Sequence, residues 1–441
     1  PGRSPGEVRA YRRGDPAGRP YTITAIYPSA VRSHHCLHAS GAHGTIETMM
    51  HVLMISLDPS LIHQPDGEAR ARHRAFAERA GQLTIIVHAR SDRAEPIVDS
   101  PHLTLIPTNR RTQLTLPVAA VQLGQRVPAG SPVDLIVTQD IFLSGLAGLR
   151  LRGRLQVPLL VQVHTYLFGN QAWLDEHPTR NRALLKLATH VLTHADFYRT
   201  VNERERRHYL TALSGAPDRV AVLPLGTASA AFAAPIADEV LQAKRAALGI
   251  RPSEKAMIWV GSALKPKRLP LLMEVFRRVL IDVPKARLLL VGDLQRSSDD
   301  LTAVAESLGI GDRVIMAGPV AHADLPLYYA LADVYAHSSS YEGMPRVLFE
   351  ASAAGLPLVG MQVAGVEEVI EDGVSGYLVP DGDAQAMANA IASLFNEPER
   401  ARALGLAARE RAFARYDAET YPDRWVGLWR RAVELGMRRD G

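Results

Sequence analysis

The chain of 441 residues holds one cysteine, Cys36. A single thiol cannot close an intrachain disulfide, so packing must hold the fold, and a reducing compartment suits it. No apolar run approaches the roughly 20 residues needed to cross a bilayer. The best candidate, Val157 to Val163, is short and carries Gln162, which fits a buried strand better. The first residues are rich in Arg, Gly and Pro and lack the apolar core of a secretory leader, so a cytoplasmic location is expected. No base-reading motif accompanies the basic residues, so nucleic acid is not an expected partner. Metal-ligand patterns are also missing. His34, His35, His38 and His43 match no familiar ligand spacing, Asp299-Asp300 is a loop pair, and Asp381-Gly382-Asp383 reads as a turn followed by a helix cap. Neither a metal nor a cofactor is expected.

What is present is concentrated in Tyr341-Glu342-Gly343-Met344-Pro345-Arg346-Val347-Leu348-Phe349-Glu350. Gly343 lets the backbone approach a ligand closely. Pro345 suits a first helical position, which leaves the amides near Met344, Arg346 and Val347 pointing out of a helix start as an anion site. Glu350 sits farther along the same helix. A diphosphate flanked by hydroxyl-bearing groups, as in a nucleotide-sugar, would satisfy both carboxylates and the amides. Arg346 and Glu350 are also spaced as an ordinary i, i+4 surface pair.

Length fits two domains. Residues 1–48 lack periodicity and are expected to be a disordered extension. Residues 49–228 read as one alternating α/β domain. Its strands are expected near Val52 to Leu57, Leu83 to Val87, Leu103 to Ile106, Leu135 to Val137, Leu155 to Val163 and Ala221 to Leu223, with Val191-Leu192 and Phe197 to Val201 surrounding a further strand. Residues 229–414 restart the pattern at Ala256 to Val260 and continue through Arg287 to Val291, Val314 to Ala317, Leu331 to His337, Leu356 to Gly360 and Ser375 to Val379. Helices between strands at this spacing imply parallel sheets covered on both faces, with ligands beyond the strands' carboxyl ends. Residues 415–441 form a last helix whose Trp425 and Trp429 belong to a core. The first half is net basic and includes Arg70, Arg72, Arg74, Arg150, Arg152 and Arg154, so contact with an anionic acceptor or an anionic membrane is a candidate.

The segment Leu331 to Val379, with its E-x7-E element and the later Asp372-Gly373-x-x-Gly376-x-Leu378-Val379, resembles the nucleotide-sugar-binding half of family 4 retaining glycosyltransferases. The resemblance implies a GT-B fold: two Rossmann-like, doubly wound parallel-sheet domains facing a cleft, with the last helix packing back on the first domain. It implies that Glu350 accepts from the ribose diol and that Glu342 contacts the donor sugar or the leaving phosphate. Amides of Gly343 and Met344 would help hold both. Val260-Gly261-Ser262-x-x-x-x-Lys267 resembles the family's phosphate loop, with Lys267 on its lysine and Ser262 where the family usually has arginine. Lys265, Arg268 or Arg346 could supply the missing charge. Val161-Gln-Val-His164-Thr165 resembles the segment that turns a histidine toward the donor sugar. Gly67 lies in the loop that the family places near the phosphates, without the usual glycine pair. Arg199 and Arg204 are candidates for acceptor contact. The expected catalytic residues are thus His164, Glu342 and Lys267. The expected donor-binding residues are Glu350, Gly343, Met344, Ser262, Gly261, Arg346 and Gly67.

The implied activity is transfer of a sugar, with retention, from a nucleotide-diphosphate sugar to a glycan or glycolipid acceptor, as in polysaccharide biosynthesis. A sugar-nucleotide epimerase and a non-catalytic sugar-nucleotide-binding subunit are the alternatives.

Overall fold

The computed structural model describes residues 9–11, 20–22, 49–90, 95–127, 130–164, 166–213, 216–226, 230–416 and 419–437. Most of the expected extension, including the four histidines, lies outside these residues. Within it, β1 (Arg9–Tyr11) and β2 (Pro20–Thr22) pair antiparallel.

The first large sheet contains β3 (Met50–Ser56), β4 (Gly81–Val87), β5 (Ile97–Val98), β6 (Leu103–Pro107), β7 (Leu135–Thr138), β8 (Leu159–Gln162), β9 (Phe197–Thr200) and β10 (Val220–Val222). Their order is β10-β9-β8-β7-β3-β4-β6-β5. Every pair is parallel except the edge pair β5–β6. All seven residues of β3 are buried, as a central strand covered on both faces requires. The second sheet contains β11 (Ala256–Val260), β12 (Arg287–Val291), β13 (Val314–Gly318), β14 (Val334–His337), β15 (Leu358–Met361) and β16 (Gly376–Val379), ordered β13-β12-β11-β14-β15-β16 and wholly parallel. Numbered within that sheet the order is the doubly wound 3-2-1-4-5-6, which opens a crevice where the winding reverses. The reversal falls between β11 and β14 in the second sheet and between β3 and β7 in the first. The loops leaving these four strands carry most of the candidate residues.

Helix periodicity explains the covering layers. Leu269–Asp282 buries Leu269, Leu272, Met273, Phe276 and Val279, spaced as one helical face. The last helix, Tyr421–Met437, packs on Glu68–Ala80 of the first half. Phe76 meets the rings of Tyr421, Trp425 and Trp429 at 6.0, 6.1 and 5.8 Å. Glycine follows both β11 and β12, and at Gly292 the reason is steric. A Cβ on Gly292 would lie 1.9 Å from the carbonyl oxygen of Gly261.

Two expectations shift. The segment from Leu155 is not one long strand: Leu155 ends the helix Leu143–Leu155, and the strand waits until Leu159, after Pro158. Val191 and Leu192 belong to the helix Pro178–His194, not to the surroundings of a strand.

Candidate functional site

The loop after β14 enters the helix Arg346–Ala353. Pro345 is its N-cap in extended conformation (ψ 101°), so the helix starts one residue later than the proline rule suggests. The helix closes at Gly355, whose φ of +80° favours glycine. There Leu356 N–H bonds Ala351 O and Gly355 N–H bonds Ser352 O.

Glu342 is the hub of this loop. Its Oε1 accepts from Lys267 Nζ, from Ser339 Oγ at 2.7 Å and from His337 Nε2 at 3.1 Å. No hydrogen bond reaches Oε2 among the described residues. Burial alone would raise this carboxyl, but the bonds and charges of His337 and Lys267 outweigh it and hold it at about 2. Burial keeps His337 below its ordinary value, against the pull of Glu342, to which its Nε2–H donates. Lys267 is fixed from behind, because Ser338 Oγ bonds its carbonyl at 2.7 Å.

Arg268 follows with φ +50°, a left-handed conformation that costs a side-chain-bearing residue about 1–2 kcal/mol. Its guanidinium bonds Ser338 O at 2.7 Å, Ser339 O at 2.8 Å and Asp381 at 2.5 Å. It therefore ties two loops together and does not replace the charge missing at Ser262. Lys265 is exposed. Asp383 caps the helix Ala384–Asn396 through Ala386 N–H, so both aspartates of the Asp-x-Asp have structural partners.

Glu350 is buried. Its Oε2 accepts from Tyr329 at 2.9 Å, and its Oε1 lies 3.2 Å from Nε2 of the half-exposed His322. Glu350 and Arg346 do not form the surface pair their spacing allows. Arg346 instead reaches Glu68 of the first half at 3.4 Å. Glu68 opens the helix that Gly67 caps, so Gly67 comes close to Arg346 across the cleft.

The first half grips the same loop elsewhere. Asn202 Nδ2 donates to Gly343 O at 2.9 Å and Tyr341 OH to Glu176 at 2.9 Å. Arg204 pairs with Glu367, and Glu203 N–H donates to Glu368 at 2.5 Å. Arg204 is therefore a contact between the halves. Gly365 must be glycine here, because at φ +79° its Cβ would meet Gly343 O at 2.6 Å.

On the first half, a cavity of about 180 Å³ opens at the β3–β7 crevice. His164, Gln162, Gln139, Arg72, Asp58 and Arg346 line it, over a floor that includes Trp425 and Tyr421. His164 Nδ1 accepts from Arg199 at 3.2 Å, and its Nε2 donates to Gln162 Oε1 at 3.1 Å. Burial, then the charges of Arg199 and Arg72, hold its value at about 3. With both nitrogens engaged, His164 presents a neutral ring rather than a general base. Arg199 is fully buried, so it supports His164 and does not face an acceptor directly.

Half of the basic cluster named in the sequence is held in ion pairs: Asp99 pairs with Arg70 and Arg74, and Asp196 with Arg152. No helix among the described residues is long and apolar enough to cross a membrane.

Glu205 shapes the loop after His164. Fully buried, it accepts from Leu167 N–H at 3.3 Å, and burial pushes its carboxyl up to about 8. A raised carboxyl favours the fold below its unfolded value and loses that contribution as pH climbs through 8. We expect unfolding free energy to fall between pH 5 and 9, and Glu205→Gln to flatten that slope by on the order of a few kcal/mol. Urea titrations across this range check it, and an unchanged slope in the variant contradicts it.

Two doubly wound sheets meet at a crevice where one glutamate precedes a helix and another lies on it, and the comparisons place this chain among glycosyltransferases. Residues 241–411 match the family model described as glycosyl transferases group 1, and residues 67–226 match a glycosyl transferase 4-like domain. A D-inositol 3-phosphate glycosyltransferase from Segniliparus rotundus is 31% identical over 305 residues, covering 68% of this chain and 67% of the relative. One from Catenulispora acidiphila is 29% identical over 383 residues, covering 83% and 90%. Among solved structures, sucrose-phosphate synthase from Thermosynechococcus elongatus aligns with a TM-score of 0.71 at 25% identity, covering 86% of this chain and 98% of that one. HepE from Anabaena in complex with UDP aligns with a TM-score of 0.68 at 20% identity, covering 86% and 99%. The chain belongs to the group 1, family 4-like glycosyltransferases and has the GT-B fold.

His337, Ser339, Tyr329 and Asn202 were not singled out in the sequence. A serine or histidine at a strand exit has no spacing signature, although Ser338 to Ser340 is an unusually polar exit for so buried a strand.

Proposed function

We propose that the chain moves a sugar from a nucleotide-diphosphate donor to a hydroxyl of a glycan or glycolipid, with retention at the anomeric carbon. The observation that carries this reading is the Glu342 hub at the start of the helix bearing Glu350. Oε1 is saturated by three donors, which leaves Oε2 to accept from a hydroxyl of the donor sugar. Glu350, held by Tyr329, keeps Oε1 toward the surface for the ribose diol, where His322 now sits. The diphosphate lies against the helix start. Gly261 and Ser262 shape its loop, and the amides of Gly343 and Met344 face it. Lys267 moves part of its charge from Glu342 to the leaving oxygen.

The leaving phosphate takes the acceptor proton on the face it departs from. The protein's part is positioning and charge stabilisation. His164 packs its neutral ring near the reacting sugar. Residues 49–228 with the last helix act as the acceptor side and 229–414 as the donor side. Work at the inner face of a membrane, with the enzyme bound peripherally, fits a lipid-borne acceptor.

A panel of UDP-, GDP- and ADP-sugars, followed by product analysis by NMR, tests this reading. One donor should stabilise the chain and give a product of unchanged anomeric configuration. Donor turnover to an epimer without any acceptor, or an inverted product, would contradict it.

A further inference from the structure

Two of the most exposed aliphatic side chains lie together just beyond β6 of the first half. Leu114 is 77% exposed and Val118 58% exposed. They stand one turn apart, Leu114 on the short turn Gln113–Thr115 and Val118 on the helix Leu116–Gly124 that continues it. The helix buries Leu116, Ala120 and Val121 in the core, so its register turns Val118 outward. Thr112 fixes the entry to the helix. Its Oγ1 accepts from Leu114 N–H at 3.4 Å, and its carbonyl accepts from Thr115 Oγ1 at 2.8 Å. A single exposed aliphatic side chain is ordinary, but an adjacent pair with a charged rim marks a contact surface.

The rim here is basic. Between Asp99 and Asp134 the chain carries no acidic residue, and Arg110 and Arg111 shortly precede Leu114. Asn109 leads into them at φ +53°, a left-handed turn that asparagine tolerates. Its N–H bonds Ala89 O at 3.0 Å, so Arg90 and Arg110 each adjoin one member of a bonded pair. All three arginines are exposed and unpaired with any carboxylate among the described residues. Glu95, exposed on the loop that follows Arg90, pairs with none of them. The cluster also shares an edge with the crevice. β3, β4 and β6 run parallel, so Asn109 leaves the sheet on the side where the β3–β7 crevice opens. β6 lies two strands from β3, and neighbouring strands are ~4.8 Å apart, which puts the cluster roughly 10 Å along that edge.

We propose that Arg90, Arg110, Arg111, Leu114 and Val118 form a docking surface for an anionic lipid bilayer. The surface rests on the transferase reading above and deepens it, because it names the side on which the chain meets a lipid-borne acceptor. The guanidinium groups meet lipid phosphates while the two aliphatic side chains enter the headgroup boundary. Neither part suffices alone. Each arginine near an anionic surface adds about fivefold to binding, and two aliphatic side chains bury too little area to hold the chain. Together they give a reversible attachment that salt weakens. A bilayer fits better than an acidic protein, because none of the five residues is an aromatic anchor of the kind that dominates protein interfaces.

Sedimentation of the full chain with vesicles tests the surface. The wild-type chain should bind vesicles of phosphatidylcholine with about a third phosphatidylglycerol, and bind phosphatidylcholine alone about tenfold or more weaker. An Arg90→Gln, Arg110→Gln, Arg111→Gln triple variant should bind the anionic vesicles about 30-fold or more weaker. A Leu114→Ser, Val118→Ser double variant should bind them about tenfold weaker. A control removes the same charge from exposed positions of the second half, as Arg251→Gln, Lys285→Gln, Arg402→Gln. It should stay within about threefold of the wild-type chain, because charges farther than a Debye length from the bilayer are screened. A control loss as large as that of the arginine variant overturns the proposal, since net charge alone would then drive binding. A serine double variant within about twofold of the wild-type chain overturns it too. So does the absence of vesicle binding, the result expected if an acidic protein were the occupant. Sugar transfer measured on the same preparations keeps the two readings apart. Vesicle binding that behaves as expected while no donor is turned over would sink the transferase reading and leave the surface standing. Transfer without vesicle binding would do the reverse.

Discussion

Lys267→Ala should lower kcat by about 10²–10³-fold, the loss typical of removing one charge stabiliser from a developing oxyanion. Lys267 Nζ is the nearest fixed cation in the Glu342 hub, and its backbone is pinned by Ser338. Glu342→Gln should fall by a similar factor for a different reason. The amide keeps the shape but loses the charge that orients Lys267, and it places a donor where His337 and Ser339 also donate. The two effects should be strongly non-additive, since both residues act through one contact. Steady-state kinetics on the single and double variants check this. Additive losses would mean that the residues act separately.

The same hub sets an acid limit on stability. The Glu342 carboxyl is depressed from its ordinary 4.5 to about 2, so the stability it contributes is present above pH 4.5 and is lost as pH falls toward 2. The shift corresponds to about 3 kcal/mol for this largely buried group. Glu342→Gln should therefore unfold with a shallower acid dependence than the wild-type chain between those limits.

Glu350→Ala should raise the donor dissociation constant by about 30- to 100-fold with a smaller change in kcat. Loss of charge-assisted hydrogen bonds to a diol is worth roughly 1.5–3 kcal/mol. The variant also strips Tyr329 of its acceptor at 2.9 Å in a buried setting. Glu350→Gln is the better control, because the amide oxygen still accepts from Tyr329 while the charge is gone. It should bind donor with intermediate affinity. A Glu350→Ala variant with unchanged donor affinity would move the ribose away from this helix.

The parts of the fold that the sequence made legible are those where one local rule dominates. Ala256–Val260 and Arg287–Val291 have the observed limits because continuous apolar runs stop abruptly at glycine. Glu342, Glu350 and Lys267 were legible as a motif, but their connections were not. The motif could not show that Arg346 reaches the other half instead of Glu350, because that depends on where Glu68 lies in space. Arg268 reads as loop charge. Only the backbone shows that it occupies a left-handed position and uses its guanidinium to close the loop. Arg199 sits in a strand whose four residues are all buried, and nothing in its neighbours announces a buried cation resting on Trp425. In each case the missing information was a long-range contact, which periodicity does not encode.

The most direct test of the central claim is a crystal structure of the chain with its nucleotide-diphosphate donor. The diphosphate should lie at the start of Arg346–Ala353 within reach of Lys267, the ribose on Glu350, and the sugar hydroxyls on the open oxygen of Glu342. A donor bound elsewhere, with Glu342 and Lys267 still closed on each other and Glu350 still held only by Tyr329 and His322, would contradict it.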